Sequence, residues 1–129
     1  MQISFPAMEG IIGGRKYYSC LMKLSTIPKM LTFSNPKQQN KRHESEVAKY
    51  ILDNEDSYVL PSITAYYKCE VEFIPHAIGN KTGDLRMKFE DATFFVNDDQ
   101  SRCAGIAAAI AENKTLGEEM IPVLLFPHF

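Results

Sequence analysis

A cluster of polar side chains lies between an apolar run, "FFV", and a run rich in alanine, "CAGIAAAIA". This junction motif consists of Asp98, Asp99, Gln100, Ser101 and Arg102. Where a strand passes into a helix, unpaired backbone N–H groups and the positive end of the helix dipole attract anions. An arginine at the same place can hold a phosphate through two parallel hydrogen bonds. The motif therefore predicts a site for a phosphate, a metal-bound phosphate or a nucleotide.

A structural role for the same residues is the alternative. Asp98 or Asp99 can cap the start of the helix, a contribution of about 1 kcal/mol. A helix cap explains only one of the two acids, and it does not explain the second acid, Gln100 or Arg102. Local chemistry alone leaves both interpretations open.

Positive charge is concentrated in one part of the chain. The basic segment, Gly10–His43, contains seven lysine and arginine residues and no acid, although the whole chain has a net charge of −2. Such a segment is typical of proteins that contact the phosphate backbone of nucleic acids, and a solvated surface without a partner is the alternative. The candidate DNA-backbone contacts are Arg15, Lys16, Lys37, Lys41 and Arg42.

The elements that must position these residues alternate along the chain. Apolar residues at helical spacing predict two main helices, one from Gln39 to about Asn54 and one from Ser101 to Glu112. Strands are predicted from aromatic and apolar runs at Lys16–Leu24, Ser57–Tyr67, Ala92–Val96 and Ile121–Phe126. Pro61 suggests that the second of these runs is an edge strand or contains a bulge.

Strict alternation of apolar and charged residues adds an antiparallel pair, Cys69–Phe73 with Leu85–Phe89. The apolar residues of this pair are predicted to face the core, with Glu70, Glu72, Arg86 and Lys88 on the outer face. The resulting prediction is an α/β or α+β fold with a mixed, partly antiparallel sheet and two main helices.

Composition disfavours several classes of protein. Apolar runs are too short to span a membrane, and the first residues lack the features of a secretory signal, so we expect a cytoplasmic protein. The three cysteines, Cys20, Cys69 and Cys103, include no C-x-x-C pair, which argues against a disulfide framework or a zinc site. Buried thiols are the expectation.

The junction motif with its flanking runs resembles the DGQHR-domain proteins, in which a hydrophobic strand, Asp-Gly-Gln-His-Arg and an alanine-rich helix follow one another. From about Gly10 to Pro127 the chain is similar, in order, to the amino-terminal part of the DndB family of DNA sulfur modification proteins. The segments that carry this likeness are "GIIGGRKYYSCLMKL", "VAKYILDNEDSYVLPSITAYYKCEVEFIP" and "GEEMIPVLLFP". The resemblance implies a single DGQHR-type domain over residues 1–129, with a fold like that of ParB and sulfiredoxin.

The function that the resemblance implies is DNA-binding transcriptional regulation associated with DNA phosphorothioate modification. DNA and other phosphorothioation proteins are the implied partners, a binding protein is favoured over an enzyme, and no catalytic residue, cofactor or metal is assigned. Two alternatives stay open: a nucleotide-binding switch or NTPase-like enzyme that uses the junction motif, and an inactive, truncated piece of a longer DndB-like protein.

Asp99 and Ser101 depart from the family motif, which has glycine and histidine at these two places. A carboxylate at the turn adds bulk and repels phosphate unless a metal ion lies between them. Serine cannot transfer a proton near neutral pH as histidine does. The departures therefore weaken the nucleotide-dependent alternative more than the charge-driven DNA contact.

Overall fold

A computed structural model of the chain describes residues 1–33 and 40–128, and in these residues eight strands form one mixed sheet with three α-helices packed against it. The strands are β1 (Gln2–Ile12), β2 (Arg15–Lys23), β3 (Leu31–Phe33), β4 (Ile63–Tyr67), β5 (Glu72–Pro75), β6 (Thr82–Lys88), β7 (Phe94–Val96) and β8 (Met120–Pro127). The helices are α1 (Thr26–Met30), α2 (Lys41–Asp53) and α3 (Gln100–Glu112), and 3-10 turns cover Phe89–Asp91 and Lys114–Glu118. The predicted fold class, a mixed and partly antiparallel sheet with two main helices, is confirmed.

The strand order in the sheet is β3-β7-β4-β8-β2-β1-β6-β5. The β3/β7 and β4/β8 pairs are parallel, and the other neighbours are antiparallel. β1 and β2 form a hairpin whose two turn residues, Gly13 and Gly14, both have positive φ. A tight turn of this kind favours glycine at both positions, and it places Arg15 at the first paired position after the turn.

The sheet curls around its core. Phe5 on β1 and Phe94 on β7 are four strand spacings apart in the sheet order, about 19 Å in a flat sheet. Their ring centroids are nevertheless 6.4 Å apart. The inner face of the sheet carries the buried side chains of alternate residues, and Cys103, Ile106 and Ala109 of α3 join the same core. The outer face is the one that points away from this core.

The predicted antiparallel pair forms between β5 and β6, with Glu72 opposite Arg86 and Phe73 opposite Leu85. The predicted bounds of the first strand are wrong, because Cys69, Glu70 and Val71 precede β5. One residue of the pair's predicted apolar face is wrong, because Phe89 lies in a 3-10 turn after β6 and is 41% exposed. The prediction for Pro61 is also wrong. Pro61 precedes β4, and β4 is an interior strand, because it pairs with β7 on one side and β8 on the other.

The cysteine thiols of Cys20 and Cys103 are free and buried, as predicted, and Cys69 is a partly buried free thiol. Burial raises the pKa of the Cys20 thiol to about 12. Burial is also the main reason that the pKa of Cys103 rises to about 12. These two thiols therefore stay protonated and unreactive at neutral pH. None of the helices in the described ranges has the length and apolar character needed to cross a membrane.

Candidate functional site at the junction of β7 and α3

The strand-to-helix junction predicted from the sequence is present. β7 ends at Val96, α3 begins at Gln100, and Asp99 occupies the N-cap position between them. The carbonyl of Asp99 accepts the hydrogen bond from the Cys103 amide at 2.9 Å, which closes the first turn of α3. The Asp99 side chain makes no capping bond to its own helix.

The Asp99 carboxylate instead reaches across to β4. Its Oδ2 accepts a hydrogen bond from the backbone amide of Thr64 at 3.0 Å, and its Oδ1 lies 2.7 Å from Nη2 of Arg102. The Arg102 guanidinium donates further bonds to the carbonyls of Pro61, at 3.0 Å from Nη1, and Ser62, at 2.8 Å from Nη2. Asp99 and Arg102 thus fasten the start of α3 to the chain that enters β4.

This arrangement is partly withdrawn from solvent. The Arg102 side chain is 13% exposed and that of Asp99 is 23% exposed. Charges in such a place interact more strongly than at the open surface, because less water screens them. The fork of Arg102 that could hold a phosphate is occupied by two carbonyls and a carboxylate.

Gln100 and Ser101 also make contacts within the protein. Gln100 is 3% exposed, and its amide nitrogen donates to the carbonyls of Val96, at 3.2 Å, and Asn97, at 3.0 Å. The Ser101 hydroxyl accepts the Asn40 amide at 3.1 Å, just before α2 begins. Both side chains therefore hold the junction in place.

Asp98 is the exposed member of the junction motif. No group of three or more His, Cys, Asp and Glu side chains in residues 1–33 and 40–128 is arranged to hold a metal ion. The geometry favours the structural interpretation of the motif over the phosphate site. The partners that the sequence did not indicate are the backbone groups of Pro61, Ser62 and Thr64, which any residue type could supply.

The geometry of the motif leads to a prediction about nucleotides. We expect no nucleoside triphosphate to bind more tightly than about millimolar, equivalent to about −4 kcal/mol, because Arg102 is already engaged and Asp98 and Asp99 repel phosphate. Calorimetric titration with ATP and magnesium measures this affinity. Micromolar binding would contradict the structural interpretation and favour metal ligation by the two carboxylates.

The candidate DNA contacts fall into two groups. Arg15 and Lys16 follow the β1–β2 turn, and Nη2 of Arg15 donates to the carbonyl of Pro127, which is opposite Tyr67 in the β4/β8 pair. Lys41 and Arg42 form the first turn of α2 on the helical side of the sheet. Lys37 lies outside the described residues.

Contacts with α3 hold α2 in position. Gly105 of α3 faces α2 so closely that a Cβ there would lie 2.6 Å from Cβ of Val47 and 2.8 Å from the Glu44 carbonyl. Asn40 caps α2 by accepting the His43 amide at 3.1 Å. Residues of α3 and of the segment before α2 thus determine where the positive first turn of α2 lies.

Ion pairs with acidic residues elsewhere offset part of the charge of the basic segment. Nζ of Lys23 lies 3.2 Å from Oε1 of Glu118, and within α2 Nε of Arg42 lies 3.3 Å from Oε1 of Glu46. Lys16 is 3.9 Å from Glu9, at the limit of an ion pair. These pairs are solvent-exposed on their cationic side, where each contributes little and can rearrange toward another anion.

The fold and the site define a mixed α+β protein with a self-contained polar junction and with exposed cations in its first third. A family model described as "DndB: DNA-sulfur modification-associated" matches residues 5–129. The chain therefore belongs to the DndB family and is associated with DNA sulfur modification. Searches of curated proteins and of solved structures found no match. The likeness to ParB and sulfiredoxin stays a prediction.

Proposed function

We propose that this protein is a DNA-binding transcriptional regulator of DNA sulfur modification and that it holds duplex DNA through the phosphate backbone. Membership of the DndB family supports the association with modified DNA. The observation that carries the DNA contact is the pair of cations, Lys41 and Arg42, in the first turn of α2.

The position of these cations is unfavourable for the helix dipole, although Arg42 also pairs with Glu46 one turn further along α2. The amino-terminal end of a helix carries partial positive charge, so lysine or arginine there is unfavourable by a few tenths of a kcal/mol. Both residues are exposed, and the Arg42 side chain is 91% exposed. Two like charges at an unfavourable place are better explained by an anionic partner than by stability.

Arg15 and Lys16 add a second group of cations near the opposite end of β4. The start of α2 lies near the Thr64 end of β4, because Asn40 bonds to Ser101 and Thr64 bonds to the neighbouring Asp99. Arg15 lies near the other end of β4, because it bonds to Pro127, which is opposite Tyr67. A duplex offers phosphates at many places along its length and can therefore contact both groups. Lys37 completes the proposed set of contacts.

We expect weak binding of duplex DNA with little sequence preference and a strong dependence on salt. Neutralisation of about four phosphates gives a log–log slope of about −3.6, which is about a 150-fold loss of affinity between 50 and 200 mM salt. A gel-shift series over that range measures the slope. Binding that does not change with salt, or no binding, would contradict the proposal.

A pair of variants tests the residues. The double change Lys41→Ala with Arg42→Ala removes two phosphate contacts, so the slope should become shallower by about 1.8. The matched control is Lys88→Ala with Lys114→Ala, which removes two exposed lysines that lie outside the basic segment. Equal effects of the two double changes would mean that only the net charge matters and would reject the assignment to α2.

A further inference from the structure

Four aromatic side chains form a row across the outer face of the sheet. This outer aromatic row consists of Tyr17 on β2, Phe126 on β8, Tyr66 on β4 and Phe95 on β7. The strand registers place them opposite one another, because Tyr18 pairs with Leu125, Tyr66 with Phe126 and Phe95 with Tyr66. The row therefore crosses four neighbouring strands at a right angle.

Two of the three neighbouring ring pairs along the row are within contact range, and His128 lies near both rings of the third pair. Tyr17 and Phe126 are stacked, with centroids 5.0 Å apart and planes 13° apart, and Tyr66 is 6.2 Å from Phe126. His128 bridges the other end, at 6.5 Å from Tyr66 and 6.1 Å from Phe95. The four strands span about 14 Å, which is room for about four stacked bases.

Gly10 extends the row onto β1. A Cβ at Gly10 would lie 2.7 Å from two ring carbons of Tyr17, so the ring lies where the side chain of any other residue would be. The absence of a side chain at Gly10 lets the Tyr17 ring lean over the backbone of β1. A side chain at this position would therefore displace the Tyr17 ring from its place in the row.

The four aromatic residues of the row are partly exposed to solvent, and the surrounding outer face carries more basic than acidic residues. On the four strands that carry the row, the charged residues at outward positions are Arg15 and Lys23, and none is acidic. Lys68 follows β4, with its amine 4.8 Å from the centroid of the Phe95 ring. Apolar side chains on the same face are also open to water, with Leu21 44% and Met120 48% exposed.

We infer that the outer aromatic row is a binding surface for single-stranded DNA, with bases stacked on the rings and phosphates held by Lys68. Aromatic side chains on an open sheet face stack on bases regardless of sequence, and nearby cations follow the backbone. A second copy of this chain is a poorer partner, because two faces with the same positive charge repel each other. The inference is independent of the proposed duplex contacts on α2.

The test compares normal and abasic single strands. The complete chain is titrated into fluorescein-labelled dodecamers of thymidine and of abasic sites, and anisotropy measures the affinity at constant salt. Both strands carry the same phosphates, so only contacts with the bases distinguish them. We expect the thymidine strand to bind at least tenfold more tightly. Equal affinities, or no binding of either strand, would overturn the inference.

Substitutions locate the surface. Tyr66→Ala should weaken binding of the thymidine strand about tenfold, whereas Tyr66→Phe, which keeps the ring, should stay within twofold. Phe89→Ala removes an aromatic ring that is 41% exposed outside the row and should change nothing. Circular dichroism verifies that each variant is folded. Equal loss in Tyr66→Ala and Phe89→Ala, or no loss in either, would reject the row as the surface.

Two further outcomes separate this inference from the proposed function. Loss of duplex binding in the α2 double variant with unchanged binding of the thymidine strand supports two distinct surfaces. Absence of duplex binding by the unmodified chain, with stacking-dependent single-strand binding intact, would reject only the proposed function. Concentration-dependent dimerisation that Tyr66→Ala abolishes, without any single-strand binding, would assign the face to self-association and overturn the inference.

Discussion

The Asp99→Ala variant should lose about 3 kcal/mol of unfolding free energy. The substitution removes the acceptor of the Thr64 amide and leaves the largely buried guanidinium of Arg102 without its carboxylate. Loss of one partner from a buried ion pair typically costs about 3 to 5 kcal/mol, and the partial exposure of this pair places it at the lower end. An unpaired backbone amide adds to the loss.

Urea unfolding followed by circular dichroism measures this change as a lower midpoint with an unchanged slope. Asp99→Asn is informative, because it keeps an oxygen acceptor for Thr64 and removes only the charge, so a smaller loss of about 1 to 2 kcal/mol is expected. Glu46→Gln is the matched control. It removes an exposed pair with Arg42 and should change stability by less than about 0.5 kcal/mol. A loss in Asp99→Ala as small as that of the control would show that the junction motif does not hold the fold together.

Gly105→Ala should also destabilise the protein, by about 2 kcal/mol. Helix propensity alone predicts the opposite sign, because alanine in the interior of a helix is favoured over glycine by about 1 kcal/mol. The added methyl group, however, would lie 2.8 Å from the Glu44 carbonyl, which belongs to the backbone of α2. The two helices must separate, and overpacking of this kind typically costs about 1 to 3 kcal/mol.

The sign of the measured change therefore decides between propensity and packing. Ala108→Gly, at an exposed position of the same helix, is the matched control and should cost about 1 kcal/mol through propensity alone. Greater stability of Gly105→Ala would mean that α2 and α3 can move apart without loss. The position of Lys41 and Arg42 would then not depend on this contact.

Local sequence patterns were sufficient for part of the fold. The two main helices and the β5/β6 pair were predictable, because helical spacing and strict alternation are properties of neighbouring residues. β1 and β3 were not predicted. Pro6 and Gly10 interrupt the apolar pattern of β1, and β3 has only three residues. Both segments are strands because they pair with other strands, β1 with β2 and β6 and β3 with β7.

The junction motif shows what the sequence could not supply. Its position between strand and helix was predictable, and so was the alternative of a structural role. The groups that bind Asp99 and Arg102 are backbone atoms of residues 35 to 41 positions away in the chain. Since almost every residue type has the same backbone amide and carbonyl, the sequence does not indicate these partners. The outer aromatic row was hidden for a similar reason, because only the strand order brings Tyr17, Phe126, Tyr66 and Phe95 together.

The place of β8 in the sheet has a consequence for how the protein is made. β8 follows the other seven described strands in the chain, yet it lies between β2 and β4 and pairs with both. While a ribosome is still synthesising the protein, β2 and β4 each present an open edge that has no partner until Met120–Pro127 emerges. The central sheet therefore forms late, and a nascent chain that pauses before β8 exposes apolar surface to chaperones or to other nascent chains.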